Sequence, residues 1–383
     1  MNAIGYKENL PIDNVNSLQD IELETPKATG RDILVEIKAI SVNPADYKVR
    51  AGMPVEGDDW KVIGWDATGI VKEVGEDVTL FNIGDEVWYA GDFTRQGSYA
   101  QFQIVDERIV GKKPQSLSFP EAAVLPLTSL TAYEMLFDRL QVAKEDANKS
   151  ILVIAAAGGV GSILVQLAKK LTKLNIIGTA SRDETTSWLK ELGADTVINH
   201  RNKLSEEFEK YNLPAPEYVV SLNATEHHVD EIVKLIKPQG KFGFIDDPKS
   251  LNVMPFKGKA VSTHIELMFT RSMFQTEDMI EQHNILNEVS KLIDNGTIKT
   301  TLGGDINDTK DFYYQGLGAD SRARTDQTDL DETNLRKTTI LTETTLNYNK
   351  VLAEKHNIGA LVGFEYQTET KTGLKLSWIE NNG

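Results

Sequence analysis

The chain has 383 residues, of which 40% are hydrophobic, and a formal net charge of −16. It is long enough to bury a substantial core, and its charge argues against nucleic acid or an anionic membrane as the main partner. The absence of cysteine excludes disulfides, thiolate catalysis and every cysteine-containing zinc site. The N-terminal segment MNAIGYKENL lacks the apolar core of a signal peptide, which favours a cytoplasmic location.

Residues 1–125 are predicted to form a β-rich domain. Short alternating or apolar segments, separated by glycine and polar turns, predict strands at 33–40, 64–74, 85–90 and 98–105. Between the first two strands lies SVNPADYKVRAG, which we interpret as a loop that carries Asn43, Asp46 and Lys48.

The second half of the chain predicts an α/β arrangement. A helical pattern at 120–140 is followed by predicted strands at 151–155, 175–180, 196–199, 218–222, 241–245 and 260–265 and helices at 160–171, 184–192 and 229–236, with a weaker helical signal at 203–211. This alternation predicts a parallel, doubly wound sheet with helices on both faces. Asp183 is an expected helix N-cap and Gly193 an expected helix stop, and a long amphipathic helix is predicted at 277–295.

The uncharged stretch 151–168, ILVIAAAGGVGSILVQLA, predicts a strand, a tight glycine turn and a helix. Its length approaches that of a membrane helix, but Gly158, Gly159 and Gly161 at its centre would weaken a continuous helix. The turn fits the dinucleotide-binding fingerprint, with Ala156 in place of the first glycine. Such a turn presents unpaired N–H groups to a pyrophosphate, although a plain tight turn is the alternative interpretation.

The residues after the second strand of the predicted sheet discriminate between the two nicotinamide cofactors. An NAD site usually has Asp or Glu there to bind the ribose 2′-hydroxyl. Here the strand is followed by Ser181 and Arg182, a hydroxyl and a guanidinium that suit a 2′-phosphate. NADPH is therefore the favoured cofactor, and the neighbouring Asp183 leaves NAD as an alternative.

With these motifs in view, residues 1–302 resemble the medium-chain dehydrogenase/reductase superfamily, and most closely its bacterial zinc-type alcohol dehydrogenase-like and quinone oxidoreductase branch. The matching stretches are SVNPADYKVR (41–50), GWDATGIVKEVGEDVTLFNIGDEV (64–87), GSYAQF (97–102), LPLTSLTAYEML (125–136), AAAGGVGSILVQLAK (155–169), ELGADTVINH (191–200) and LIKPQGKF (235–242). The resemblance implies a GroES-like catalytic domain at 1–125, a Rossmann NADP-binding domain at 126–265 and a return segment at 266–302. It also implies a homodimer with a small-molecule substrate bound in the cleft between the two domains.

The resemblance also assigns site residues. It places the cofactor on Thr128, on Ala157, Gly158, Gly159, Val160 and Gly161 of the turn, on Ser181, Arg182 and Asn223, on Phe244 or Ile245, and on Met268 or Phe269. It places the substrate beside the segment that carries Asn43 and Asp46.

Zinc-dependent members of this superfamily hold their metal with a cysteine, the His of a Gly-His-Glu triplet and a third ligand. The corresponding positions here are Asn43, the triplet Gly64-Trp65-Asp66 and the segment LPLTSLT, which offers neither His nor Cys. Because zinc needs three or four N, S or carboxylate ligands, we predict no metal site. The neighbours His227 and His228, and the combination of His264 with Glu266, also fall short of a ligand set.

The residues present favour a particular class of hydride acceptor. Without a Lewis acid, a conjugated enone or quinone accepts hydride more easily than a simple ketone, because charge delocalises onto an oxygen that hydrogen bonds stabilise. The sequence therefore predicts a zinc-independent NADPH-dependent oxidoreductase acting on a quinone or an α,β-unsaturated carbonyl. Asn43 would donate a hydrogen bond to the carbonyl, and Tyr47 or water would supply the proton. Asn43 also suits an Asx turn before Pro44, and Asp46 is better interpreted as a loop-fixing carboxylate than as a catalytic one.

Two other functions stay open at this point. A zinc-independent alcohol dehydrogenase or aldehyde reductase belongs to the same class of enzyme, whereas a non-catalytic NADPH-binding sensor or structural protein belongs to another. Turnover separates them, because a sensor binds NADPH without oxidising it when quinones are offered.

Residues 303–383 depart from the family pattern, which would continue through a helix and end in a strand that returns to the catalytic domain. A polar segment is followed by a strongly alternating one, which weakly resembles a β-hairpin of a TonB-dependent receptor. We expect an atypical β-hairpin-like segment, interpreted as a chimeric terminus or an accessory hairpin and not as a membrane domain. Loss of the closing helix and strand would leave apolar surface exposed and lower the stability of the protein.

Overall fold

The structure, a computed structural model, describes residues 1–55, 57 and 59–298, and beyond them the backbone of residues 335–343, 348–352, 356–360 and 365–373. The chain divides into one unit that contains residues 1–301 and 348–360 and a second unit that contains residues 302–347 and 361–383.

Antiparallel sheets dominate the N-terminal part of the first unit. The strands are β1 (Asn2–Tyr6), β2 (Gln19–Glu22), β3 (Asp32–Ile40), β4 (Lys61–Val62), β5 (Ala67–Val74), β6 (Glu86–Tyr89), β7 (Phe102–Asp106) and β8 (Val110–Lys112). They form a five-stranded sheet in the order β7-β3-β5-β6-β8 and a three-stranded sheet in the order β2-β1-β4. The β-rich character predicted for this part of the chain is confirmed.

The segment predicted as a loop at 41–52 is instead a helix, α1 (Pro44–Gly52), so that prediction was wrong. Asn43 is its N-cap, and Pro44 at the first helical position has its fixed φ suited to a helix start. The Asp46 carboxylate accepts a hydrogen bond from the Asn43 N–H and so closes the first turn. Asn-Pro favours a turn from the sequence alone, and here that turn continues into a helix.

A six-stranded parallel sheet forms the second half of the first unit, as predicted. Its strands are β9 (Ser150–Ile154), β10 (Asn175–Thr179), β11 (Thr196–Ile198), β12 (Tyr218–Ser221), β13 (Lys241–Phe244) and β14 (Ser262–Ile265), in the order β11-β10-β9-β12-β13-β14. The connecting helices are α4 (Gly159–Leu171), α5 (Asp183–Leu192), α6 (Leu204–Lys210) and α7 (Thr225–Leu235). Every pairing in this sheet is parallel, so the carboxyl ends of all its strands lie along one edge.

The helical segment predicted at 120–140 is divided into three pieces. These are α2 (Phe119–Ala123), α3 (Pro126–Tyr133) and a π-helical turn, Glu134–Arg139. After the parallel sheet come α8 (Thr270–Met273) and α9 (Glu281–Asp294), which begins later than the predicted residue 277. Of the two predicted helix boundaries, Gly193 ends α5 in the left-handed region with φ 111°. Asp183 is the first residue of α5 and not its N-cap, a position that Arg182 occupies.

The two faces of the parallel sheet belong to different apolar clusters. Ile151 and Val153 of β9 face a cluster that extends into the N-terminal half and includes Trp65. Leu152 and Ile154 face a second cluster under α6 and α7. The first cluster therefore joins the antiparallel and parallel halves of this unit through one continuous core.

Further along the chain the described backbone contains two antiparallel strand pairs. Strand β16 (Tyr348–Leu352) pairs with β17 (His356–Ala360) in the first unit, and β15 (Leu335–Glu343) pairs with β18 (Glu365–Gly373) in the second. This agrees with the predicted hairpin-like character of the C-terminal segment, while the alternating residues 361–364 lie outside the described residues. The resemblance to a TonB-dependent receptor and the chimeric origin stay hypotheses. Within the described part of the chain, the helices are too short or too polar to span a membrane.

Candidate cofactor and substrate site

The glycine turn has the geometry predicted for it. Strand β9 ends at Ile154, and α4 begins at Gly159 with Gly158 as an N-cap in extended conformation that provides no side-chain cap. A Cβ added at Gly161 would lie 2.2 Å from the Ala156 carbonyl oxygen, so only glycine allows the helix to approach the strand this closely.

This turn fits the diphosphate of a nicotinamide cofactor. The first N–H groups of a helix have no acceptor within the helix, and the dipole of α4 adds partial positive charge at the same place. A Cβ added at Gly158 would have only the Ala155 carbonyl oxygen within 4 Å, which leaves space in front of these groups. Thr128 of α3 lies beside the turn, because its Cγ2 atom would be 3.2 Å from a Cβ at Gly159.

Several other predicted cofactor residues lie along the same edge of the sheet. Ser181 and Arg182 lie one residue beyond the end of β10, which pairs with β9. Asn223 follows β12, and its Oδ1 atom accepts a hydrogen bond from the Ala224 N–H at 2.9 Å. The structure therefore brings the glycine turn and these three side chains to the ends of three adjacent strands.

The remaining predicted residues separate into different environments. Phe244 packs in the cluster under α6 and α7, where its ring stacks on Phe242 with centroids 5.7 Å apart. Ile245, the next residue, packs against the cluster shared by both halves, so it is the better placed of the two alternatives. Met268 and Phe269 follow β14 and are buried, with only 2% and 3% exposed.

His200 was missed in the sequence interpretation. It lies just after β11, and its Nδ1 atom is 3.1 Å from the Thr179 Oγ1 atom at the end of β10. A single histidine in a polar loop carries no periodic signal. Only the parallel pairing of β10 with β11 brings it to this edge.

A chain of hydrogen bonds connects the predicted substrate segment to the cofactor turn. The Asn43 Nδ2 atom donates to the Asp66 Oδ2 atom at 2.7 Å, and the Leu127 N–H donates to the Asp66 Oδ1 atom at 2.8 Å. Leu127 immediately precedes Thr128, which contacts the glycine turn. Asp66, noted in the sequence only because it could not complete a zinc site, therefore links the two halves of the site.

Two buried carboxyl groups beside Asn43 have raised pKa values. Burial raises the pKa of Asp46 to about 7, against the lowering effects of the Asn43 and Asp46 N–H groups and the Tyr99 hydroxyl. Burial also raises the pKa of Asp66 well above its ordinary value, and the negative charge of Asp46 raises it further. Asp46 and Asp66 are 2% and 1% exposed.

Tyr47 and Lys48 of α1 are more open to solvent than Asn43 and Asp46. Tyr47 is 47% exposed. The Lys48 ammonium lies 2.6 Å from the Asp247 Oδ2 atom, which belongs to the segment after β13. This exposed ion pair joins the antiparallel half to the parallel half.

Three aromatic rings extend from the Gly64-Trp65-Asp66 triplet to the segment after β14. Phe93 contacts Phe269 with ring centroids 4.8 Å apart, and Trp65 meets both rings edge to face, at 6.4 Å and 6.5 Å. Offset or edge-to-face contacts are favourable geometries for aromatic rings. The triplet therefore contacts both predicted sides of the site, through Asp66 to Asn43 and through Trp65 to Phe269.

The residues at the family's zinc position do not fit zinc. They are an amide, an indole and a carboxyl, and the amide nitrogen and the carboxyl oxygens are bound to each other and to Leu127. Within residues 1–55, 57 and 59–298, His, Asp and Glu side chains do not form a group of three that could hold a metal ion.

Comparisons with known proteins agree with this architecture. The alcohol dehydrogenase GroES-like domain family matches residues 29–115, and the zinc-binding dehydrogenase family matches residues 159–283. A zinc-type alcohol dehydrogenase-like protein of Staphylococcus epidermidis is 37% identical over 307 residues, which are 79% of this chain and 90% of that protein. The 2-methylene-furan-3-one reductase of Solanum lycopersicum is 39% identical over 215 residues, 54% of each chain.

A solved structure from Rhizobium etli CFN 42, provisionally assigned as a zinc-dependent alcohol dehydrogenase, is 52% identical and has a TM-score of 0.77. The match covers 83% of this chain and 96% of that one. The chain therefore belongs to the medium-chain dehydrogenase/reductase superfamily, in its zinc-type alcohol dehydrogenase-like branch. It is an oxidoreductase with a GroES-like and a Rossmann fold, and the resemblance predicted from the sequence is confirmed.

Proposed function

We propose that this protein is a zinc-independent, NADPH-dependent oxidoreductase that transfers hydride to a quinone or an α,β-unsaturated carbonyl. The observation that carries the proposal is the set of residues at the family's zinc position. Asn43 and Asp66 are bound to each other there, so the site offers hydrogen-bond donors and no metal ligand set. An acceptor whose developing charge is delocalised needs only such donors.

The cofactor half of the proposal rests on the edge of the parallel sheet. The α4 N-terminus would bind the diphosphate, Ser181 and Arg182 the 2′-phosphate, and Asn223, Ile245 and the segment of Met268 and Phe269 the nicotinamide half. The bound nicotinamide supplies the hydride. His200, beside Thr179, is positioned to add a polar contact to the 2′-phosphate region.

The substrate half rests on Asn43. One of its two amide hydrogens is held by Asp66, which fixes the plane of the amide, and the other would donate to the substrate carbonyl. Asp46 accepts a hydrogen bond from the Asn43 N–H, so its role in this proposal is to fix the start of α1 and not to take part in the reaction. Tyr47, which is exposed, or water would supply the proton.

The relative from Solanum lycopersicum supports this class of substrate, since its name describes the reduction of a 2-methylene-furan-3-one. That compound is an α,β-unsaturated ketone. The similarity covers about half of this chain. It therefore supports the proposed class of reaction and does not identify the substrate of this protein.

We also propose that the protein forms a homodimer through β14. Among the described strands β14 pairs only with β13, which leaves its other edge without a strand partner. Ile265, Leu267 and Phe274 near this edge are 67%, 47% and 71% exposed. A second copy would pair this edge and cover the apolar side chains. Light scattering should give twice the chain mass, and Ile265→Lys should give a folded monomer that melts at a lower temperature than the dimer. A monomeric unaltered protein would contradict the dimer.

The cofactor test is a thermal-shift titration of the full chain with NADPH and, separately, NADH. We expect stabilisation at lower concentrations of NADPH than of NADH. Arg182→Ala should weaken NADPH binding roughly tenfold and leave NADH binding unchanged, because one charge-assisted contact is lost. Arg108→Ala, which removes a guanidinium paired with Asp106 on the antiparallel sheet, is the matched control. Equal stabilisation by both cofactors would contradict the preference for NADPH.

The substrate test is a screen of quinones and enones with NADPH oxidation as the readout. We expect Asn43→Ala to lower kcat by roughly a hundredfold on any substrate found, which is the typical effect of losing one oxyanion donor. Asn284→Ala, on the exposed side of α9, is the control. Unchanged turnover in Asn43→Ala would rule out this role for Asn43, and cofactor binding without any turnover would favour a sensor.

A further inference from the structure

A cluster of buried acids and arginines lies under the segment after β14. Glu134 belongs to the π-helical turn and is fully buried, and Glu266 follows β14 and is 3% exposed. Arg271 of α8, 6% exposed, and Arg139, at the end of the π-helical turn, contact these two acids. The cluster has no role in the cofactor or substrate contacts proposed above.

Each of the two glutamates uses one oxygen for an arginine. The Glu134 Oε1 atom lies 2.9 Å from the Arg271 Nη1 atom, and the Glu266 Oε2 atom accepts from the Arg139 Nε atom at 2.6 Å. The other two oxygens, Glu134 Oε2 and Glu266 Oε1, are buried and lack a hydrogen-bond donor among the described residues. The two carboxyl groups lie within hydrogen-bond reach of each other.

The surrounding charges do not compensate two ionised glutamates. Arg271 also pairs with Asp138 and Asp278, each at 2.9 Å, so its single positive charge is shared among three acids. Among the described residues Arg139 forms an ion pair with Glu266 only, and its side chain is one-third exposed. Two carboxylates facing each other in a buried site repel strongly, and a proton between them converts the repulsion into a hydrogen bond.

We propose that Glu134 and Glu266 share one proton, and that this hydrogen bond positions the Met268–Phe269 segment beside the nicotinamide. The positioning part rests on the proposed function. Glu266 precedes that segment and Arg271 follows it. Arg271 forms an ion pair with Glu134, and Glu266 shares the hydrogen bond with Glu134. Gln282 of α9 also connects the Met268–Phe269 segment to Glu134. Its Nε2 atom donates to the Met268 carbonyl oxygen at 2.6 Å and lies 3.4 Å from the Glu134 Oε1 atom.

The direction of the pH effect follows from this arrangement. Burial and the neighbouring Glu266 raise the pKa of Glu134, and burial raises the pKa of Glu266 despite Arg139. At alkaline pH the pair loses its proton and the two carboxylates separate. The segment that carries Met268 and Phe269 then loses one of its anchors, and NADPH affinity falls.

The first experiment compares Glu134→Gln, Glu266→Gln and the double variant by melting temperature at pH 7. In either single variant the amide oxygen accepts from the arginine and the amide nitrogen donates to the remaining carboxylate, so stability should be close to that of the unaltered protein. In the double variant two amide nitrogens face each other, so the melting temperature should fall by more than the sum of the single effects. Additive effects, or single variants as damaged as the double, would overturn the shared proton.

The second experiment measures NADPH binding to the full-length protein between pH 7 and pH 9. We expect the dissociation constant to rise roughly tenfold in the unaltered protein, the effect of one lost hydrogen bond, and to stay flat in Glu134→Gln. Adenosine 2′,5′-bisphosphate, which lacks the nicotinamide, should bind equally well to both proteins across this range. Glu207→Gln, which replaces a buried glutamate in α6, should retain the pH dependence of the unaltered protein.

Parallel loss of both ligands in Glu134→Gln would indicate a general structural effect and overturn the positioning role. The same conclusion follows if NADPH affinity changes with pH equally in Glu134→Gln and the unaltered protein. Failure of the unaltered protein to bind either ligand would instead contradict the proposed cofactor, while the melting comparison would still decide whether the proton is shared.

Discussion

Two pairs of buried acids among residues 1–298 of the described structure are built differently. Asp46 and Asp66 are bridged by Asn43, which donates its backbone N–H to one and its side-chain amide to the other. Glu134 and Glu266 face each other directly and are flanked by two arginines. The first pair lies at the predicted substrate position and the second beneath the predicted nicotinamide position.

Burial is the main cause of the raised pKa values in both pairs, and the pairs differ in the groups that oppose it. The donors around the first pair are mainly neutral, so burial dominates and raises the pKa of both aspartates. In the second pair the arginines lower the pKa values, but burial outweighs them in both glutamates, and the charge of Glu266 raises the pKa of Glu134 further. Neutral donors hold Asn43 in one orientation, whereas a proton is required to hold the two glutamates together.

The largest expected effect comes from breaking the neutral network. Asp66→Ala leaves the Asn43 amide and the Leu127 N–H without their acceptor, which should lower the free energy of unfolding by about 2–5 kcal/mol. Asp66→Asn keeps an acceptor for Leu127 and, if Asn43 turns its amide over, should cost less than about 1 kcal/mol. Urea denaturation measures both, and equal losses in the two variants would show that the hydrogen bonds do not matter.

The next effect is a loss of stability as pH rises, to which both pairs contribute. The folded protein holds the Asp46 proton more tightly than the unfolded chain, so stability from this group is highest at low pH and is lost as pH rises to about 7. Between pH 5 and pH 7 this loss should be about 2–3 kcal/mol. Asp46→Asn should remove the part of the slope that Asp46 causes, and Glu134→Gln should remove a separate part, because burial also makes the folded protein hold the Glu134 proton more tightly. Urea denaturation at several pH values measures both slopes, and a slope unchanged by Asp46→Asn would assign the loss to other groups.

The smallest effect refines the first pair alone. The Tyr99 hydroxyl lowers the pKa of Asp46, so Tyr99→Phe should move the midpoint of the stability loss to higher pH. Tyr89→Phe is the matched control, because its hydroxyl donates to Gln103 at 3.0 Å and not to either aspartate. A midpoint that stays in place in Tyr99→Phe, or moves equally in Tyr89→Phe, would contradict the assignment.

Local signals were sufficient to predict most of the fold. The glycines at 158, 159 and 161 cannot continue a buried helix cheaply, so they identified the turn between β9 and α4. The alternation of strands and helices then identified the parallel sheet. Asn43 and Pro44 led to the wrong prediction of a loop at 41–52. The same residues favour both a turn and a helix N-terminus, and only the contacts of the following residues decide between the two.

The site was predictable only where it is contiguous in sequence. The glycine turn and the Ser181–Arg182 pair are local patterns, and both lie at the predicted edge. The links through Asp66, Tyr99 and His200 depend on which strands become neighbours, and the sequence alone does not specify that. The pairing of Glu134 with Glu266 similarly requires the end of β14 to lie against a π-helical turn far away in the chain.

The Lys48–Asp247 ion pair has a kinetic consequence. Both side chains are well exposed, so the pair contributes at most about 1 kcal/mol and is weakened by salt. We expect a contact this weak to open readily, and the fraction of time for which it is open to rise with ionic strength. Substrates that enter past α1 would therefore bind faster as salt concentration rises, which is the opposite of the usual slowing of electrostatically steered association.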